Sequence, residues 1–164
     1  MSVNRGKQFE QVIHRAFDKL PNVSIDRLHD QTTGFLGSTN ICDFVVYREP
    51  YEYYFECKSV HGNILPFTNI TGNQWQGLLQ KSQITGVYAG VICWWVDKDI
   101  TRFIPIQVLQ MLKEEGKKSL NCYWDSCVDI YNTRYYITEI KGKKKRVFFE
   151  YDMEGFLNEI SNRG

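Results

Sequence analysis

Apolar positions recur at helical spacing near the start of the chain. Phe9, Val12, Ile13, Ala16, Phe17 and Leu20 fall on one face, so residues 4–20 are expected to form an opening helix that Pro21 stops. The next stretch, SIDRLHDQTTGFLGSTN, is rich in Gly, Thr and Asn and reads as a loop with a short strand at its start. ICDFVVY and YEYYFECKSV carry β-branched and aromatic residues around REPY, which predicts a hairpin. HGNILPFTNITGN is irregular. QWQGLLQKSQITG predicts a helix, VYAGVICWWV an apolar central strand, TRFIPI a further strand, and QVLQMLKEEG a helix ending at Gly116. YYITEI and KKRVFFEY read as late strands and MEGFLNEISN as a last helix, while KKSLNCYWDSCVDIYN fits no clear pattern. The order defines one α/β domain over 1–164, a mixed central sheet flanked by helices.

Composition narrows the function classes. With 164 residues, 43% hydrophobic and 15% aromatic, the chain can bury a sizeable core. Its formal net charge is +1, so any nucleic-acid surface must be local rather than global. The five cysteines are an odd number, which fits free thiols and a reducing cytoplasm, and no zinc-ligand spacing accompanies them. The longest apolar run is GVYAGVICWWV, too short to span a bilayer, so no membrane partner is expected.

The hairpin carries the chemistry. If REPY closes it, Tyr47 pairs with Glu52, and the same register sets Asp43 opposite Glu56. Opposed residues share a face with Cβ atoms about 4.5–5.5 Å apart, and Lys58 lies on that face too. Phe44, Val46, Tyr53, Phe55 and Cys57 form the other, apolar face. Two carboxylates so close repel and call for a cation. Mg²⁺, with Mn²⁺ in its place, suits a few carboxylates plus water and phosphate oxygens. The constellation fits phosphodiester hydrolysis, with Lys58 placing water or stabilising the transition state. The plain alternative is a Glu56–Lys58 ion pair on a half-exposed sheet face, with Asp43 opening its strand.

Asp43, Glu56-Cys57-Lys58 and the preceding helix resemble the PD-(D/E)xK nuclease superfamily. More narrowly, the chain resembles the RecU-type Holliday junction resolvases and their phage-encoded relatives. NRGKQFE at 4–10 resembles their NRG-x-x-FE opening. Ser38-Thr39 stands before the Asp as a similar pair does there. FECKS resembles FEAKE or FECKE, and LPFTNITGNQ at 65–74 resembles FPLxNFxxHQ. The match runs over roughly residues 4–110.

The resemblance implies a restriction-endonuclease-like fold and a Mg²⁺-dependent, structure-selective endodeoxyribonuclease resolving four-way DNA junctions. It implies a homodimer acting in the cytoplasm, a bacterial host's if phage-encoded. Asp43 and Glu56 become metal ligands, with Gln74 near the metal; Lys58 and Glu10 become catalytic. Arg5 matches the basic opening. The place of a projecting stalk falls on 61–72, which otherwise reads as a crossing loop. Ile41 departs from the family, which often has Thr there, and the interval from Lys58 to Gln74 is one residue short.

Under this reading KGKKKR favours DNA contact through Lys143, Lys144, Lys145 and Arg146 over a solvated hairpin turn. Lys7, Arg27, Lys117 and Lys118 are weaker candidates for DNA contact. Trp75 and at least one of Trp94 and Trp95 are expected in the core, although Trp75, Trp94, Trp95 and Trp124 are all aromatic enough to stack bases. His14, His29 and His61 read as isolated. Cys42 and Cys57 are expected on the apolar face. Two alternatives stay open: another PD-(D/E)xK endonuclease of restriction or repair type, and a non-catalytic DNA-binding recombination accessory protein.

Overall fold

The structure, a computed structural model, describes residues 4–28 and 40–161. Ser38-Thr39 and His29 lie outside the described residues.

The opening helix α1 spans Arg5–Asp18. Asn4 caps it, its Oδ1 accepting the Lys7 N–H at 3.1 Å. The helix buries Phe9, Ile13, Ala16 and Phe17, the stripe that the spacing predicts. Strand β1 (Ser24–Arg27) pairs antiparallel with β2 (Phe44–Arg48), and β2 with β3 (Tyr51–Val60). Tyr47 faces Glu52 as expected, but Arg48 also pairs with Tyr51, so the hairpin loop is only Glu49-Pro50.

Strand β4 (Ile64–Pro66) and a 3₁₀ turn, Phe67–Asn69, lead to helix α2 (Gly72–Ser82). Strand β5 (Val87–Trp95) then runs parallel to β3. A second 3₁₀ turn, Val96–Lys98, leads to β6 (Ile100–Pro105), antiparallel to β5, and helix α3 (Ile106–Glu114) follows. The C-terminal third holds β7 (Ser119–Asn121), β8 (Cys127–Ile130), β9 (Thr133–Tyr136), β10 (Thr138–Glu139), β11 (Gly142–Lys144), β12 (Phe149–Tyr151) and helix α4 (Met153–Ser161).

The central sheet has six strands in the order β1-β2-β3-β5-β6-β10, mixed in direction. It divides two apolar cores. On one face Phe44, Val46, Tyr53, Phe55 and Cys57 pack with α1 and α4. On the other, Val60, Val91, Cys93, Trp95 and Ile104 pack with residues of α2 and α3. Burying such side chains stabilises by about 1.5–3 kcal/mol each, so a sheet covered on both faces is a rigid base for a site.

Three expectations need correction. Segment 61–72 does not project: β4 pairs with β7, and Leu65, Phe67 and Ile70 are buried in the second core. Leu65, Phe67 and Ile70 are folded down as packing, while Ile64 stays exposed. Cys42 is buried in that second core rather than beside Cys57, because the chain bends between Ile41 and Asp43 before β2 begins. The basic run is not only a turn, since its first half is β11 paired to β12. Trp75, Trp94 and Trp95 are all buried, while Trp124 is exposed.

Candidate active site

The β2–β3 ladder ends at Phe44 and Phe55, but β3 continues to Val60 with β5 as its only strand partner among the described residues. A fork opens there between the start of β2 and the second half of β3. Asp43 sits at its apex. Its backbone N–H donates to the Phe55 carbonyl at 3.1 Å, one residue off the regular register. Its side chain completes the ladder instead, Oδ2 accepting the Cys57 N–H at 2.8 Å. The slipped register is a bulge-like device that turns a carboxylate inward.

Glu56, buried at 4% exposure, lies beside Asp43. The two carboxyl groups share a hydrogen bond. Burial, then the charge of Glu56, pushes Asp43 up to about 7. Burial also raises Glu56, while the neighbouring Lys58 opposes that rise. Burial and the closeness of the two carboxyl groups thus favour a proton held between them. Lys58 Nζ lies 2.9 Å from Glu56 Oε2, and its side chain keeps 21% of its surface open against 5% for Glu56. The ammonium is more open to solvent than the carboxylate beneath it.

Glu10 of α1 adds a negative field felt by Glu56. Its own Oε2 accepts from Arg27 Nη2 at 2.9 Å. Arg27 is therefore tied to the edge of the site rather than free for DNA. Cys42 is pushed up to about 12 by burial and then by Glu56 and Asp43, and Cys57 well above its usual value by burial. Both stay neutral thiols, unsuited to nucleophilic work.

Helix α2 walls the fork. Asn73 Nδ2 donates to the Asn40 carbonyl at 3.5 Å, and Gly77 lies against Ile41 so closely that a Cβ there would fall 2.2 Å from its Cγ2. Ile41, the departure from the family pattern, thus packs α2 against the fork. Gln74 is not brought to the carboxylates. Its Oε1 accepts the Thr71 N–H at 3.0 Å while Thr71 Oγ1 accepts from Gln74 N, a capping box. No hydrogen bond joins Gln74 to Asp43 or Glu56 among the described residues.

The basic candidates lie elsewhere. The Arg5 guanidinium stands 5.6 Å from the Phe148 ring centre, and Phe148 packs on Trp94, on the α1 side of the sheet. Lys7 is exposed. Lys144 pairs with Asp99 at 2.6 Å and Lys145 with Glu150 at 3.1 Å. Lys143 and Arg146 are exposed and have no ion-pair partner among the described residues.

The donor set fits a divalent cation. Mg²⁺ takes one or two carboxylates and completes its shell with water and phosphate oxygens. Asp43 and Glu56 supply two adjacent carboxyl groups whose mutual repulsion a cation would relieve. Among the described residues no group of three or more His, Cys, Asp or Glu side chains is arranged as a metal cage.

Searches against protein families and against curated proteins find no match. The structure is similar to that of Hjc, a Holliday junction resolvase from the archaeal hyperthermophile Archaeoglobus fulgidus. The TM-score is 0.45 and the identity 20%, over 63% of this chain and 75% of that one. No described helix is long and apolar enough to cross a membrane.

Proposed function

We propose that this protein is a Mg²⁺-dependent endodeoxyribonuclease that resolves four-way DNA junctions. The observation that carries the hydrolytic reading is the Asp43–Glu56 carboxyl pair at the fork of β3, with the Lys58 ammonium 2.9 Å from Glu56. The resemblance of 4–10, 43–59 and 65–74 to the RecU-type resolvases supports the junction substrate.

Asp43 and Glu56 would hold the cation, which supplies an acidified water and neutralises charge on the phosphate. Lys58 is the exposed member of the group. Its ammonium donates to a phosphate oxygen as negative charge builds in the transition state. Water adds to phosphorus, the bond to the 3′ oxygen breaks, and the products are a 5′-phosphate and a 3′-hydroxyl. Glu10 acts from behind by adding negative field at Glu56. Gln74 enters only if the capping box opens. A homodimer would set two such sites on one junction.

Labelled four-way junction and matched linear duplex, incubated with Mg²⁺ or EDTA, test this directly. Symmetric Mg²⁺-dependent nicks near the branch, lost in Lys58→Ala, are expected. Equal cutting of linear duplex would replace the resolvase with a broader nuclease. Binding without cutting would point to an accessory protein.

A further inference from the structure

Arg102 is 8% exposed on β6, and among the described residues its hydrogen bonds run to a loop rather than to the carboxylate site. Both terminal nitrogens of its guanidinium are engaged by one loop. Nη1 donates to the Cys122 carbonyl at 3.1 Å and to the Trp124 carbonyl at 2.6 Å, and Nη2 donates to Asp125. Asn121 braces the same loop, accepting from Tyr123 N at 2.9 Å through Oδ1 and from Trp124 N at 3.1 Å through its carbonyl. Cys122 N in turn donates to the Asn63 carbonyl at 2.8 Å. Burying an arginine is expensive unless its bonds are all made, and such groups are kept where they fix a geometry.

What this loop holds out is aromatic. Tyr123 is 63% exposed and Trp124 40%. Lys117 Nζ lies 5.3 Å from the Trp124 ring centre. Beside it a groove of about 490 Å³ runs over Phe67, Ile70 and Trp75 and is edged by Lys113, Lys117 and Lys118. Apolar floor and cationic rim together match a ligand with flat apolar faces and regularly spaced negative charge.

The register places this surface relative to the fork. Lys58 pairs with Cys93, and Cys93 with Arg102, so the three share one cross-strand row and one face. Strands lie about 4.8 Å apart, which sets Lys58 and Arg102 roughly 10 Å from each other. The loop is thus anchored on the face that carries the candidate phosphate site, at the same level of the sheet.

The geometry points to Tyr123 and Trp124 as a stacking platform for an unstacked DNA base beside the branch, with Lys117 and Lys118 on the adjoining phosphates. This rests on the nuclease reading and deepens it: a platform that needs an open base selects branched over continuous duplex. Aromatic stacking suits such a base because it needs no particular sequence. An acidic peptide would also meet the lysines, but it gives no reason for the alignment with Lys58.

The test places 2-aminopurine either at the branch of a four-way junction or well inside one arm. Binding is followed in EDTA, so that no strand is cut. The wild-type protein and Lys58→Ala are compared with Trp124→Ala, Trp124→Phe and Tyr123→Ala, after thermal melts confirm folding.

The platform predicts a change in emission at the branch position only. Trp124→Ala abolishes it and weakens junction binding about 10-fold, with duplex binding little changed, and Trp124→Phe keeps part of both. Unchanged emission and affinity in Trp124→Ala would overturn the platform, as would equal losses on junction and duplex. Protein that binds no DNA at all sinks both the platform and the nuclease reading. A branch-specific response without Mg²⁺-dependent cutting leaves the platform standing and removes only the catalysis.

Discussion

Asp43 Oδ2 accepts the Cys57 amide hydrogen at 2.8 Å, so a side chain completes a rung that the β2 backbone has left. That bond holds one carboxylate against the second, Glu56, on the neighbouring strand. The local slip in pairing is therefore what builds the site.

Removing either charge should separate binding from cutting. Asp43→Asn and Glu56→Gln keep similar shapes but remove a carboxyl group that the proposed cation would use. Junction cleavage is expected to fall by about 10²–10⁴-fold, with junction affinity in EDTA within a few-fold of wild type. Gel-shift and single-turnover cleavage assays on the same preparations check it. Residual cutting near the wild-type rate would dismiss the carboxylate pair as the centre.

The same pair makes metal-free stability depend on pH. Asp43 is raised to about 7 from an ordinary 3.8, so the folded state favours its protonated form. Its contribution is full below the ordinary value and is lost as pH rises through 7. Asp43→Asn should match wild type near pH 4 and exceed it at pH 8 by roughly 1–3 kcal/mol, several degrees in Tm. Mg²⁺ at pH 8 should raise the wild-type Tm and leave the variant almost unmoved. Paired melting series in EDTA and Mg²⁺ measure both effects, and parallel curves for the two proteins would count against the shared proton.

Gly77→Ala should loosen the wall of the fork. The new methyl would lie 2.2 Å from Ile41 Cγ2, so α2 or Ile41 must move. A loss of about 1–3 kcal/mol is expected, together with reduced cleavage. Adding Ile41→Gly removes both the Cγ2 and the Cβ that lies 2.6 Å from the new methyl, and should restore part of both, a coupling that denaturant titration of the double-mutant cycle reads.

Lys143→Ala and Arg146→Ala test the exposed hairpin. Both side chains lack ion-pair partners among the described residues, so their loss should leave Tm unchanged. If each meets a phosphate, junction affinity falls and the slope of log affinity against log salt flattens by about 0.9 per residue. An unchanged slope would assign the hairpin to solvent.

Much of this site is legible from residue order alone. The Tyr47–Glu52 register follows from a short hairpin and puts Glu56 and Lys58 on one face, but Asp43 reaches Glu56 through the slip rather than through the regular ladder. The bend at Ile41 to Asp43 is not legible, because hydrophobic period says nothing of a one-residue slip, and it is this bend that turns Cys42 into the second core. Thr71-x-x-Gln74 is a capping-box pattern, and that signal already commits the Gln74 side chain to its own helix. Leu65, Phe67 and Ile70 are apolar at irregular spacing, which hides their burial. Arg102 carries no motif, and its meaning appears only when β3, β5 and β6 are laid in register.

Among the described residues, the margin of β3 beyond Phe55 carries Asp43 on its Cys57 amide and no further paired strand, which has a bearing on solubility. A strand with free backbone groups invites another chain to add to it, and proteins discourage this with charges directed across the edge. Glu56 and Lys58 occupy that stretch. Replacing both by apolar residues would abolish the chemistry and also unmask an adhesive seam, so inactive variants for crystallisation are better made with Gln and Met than with Val or Ile.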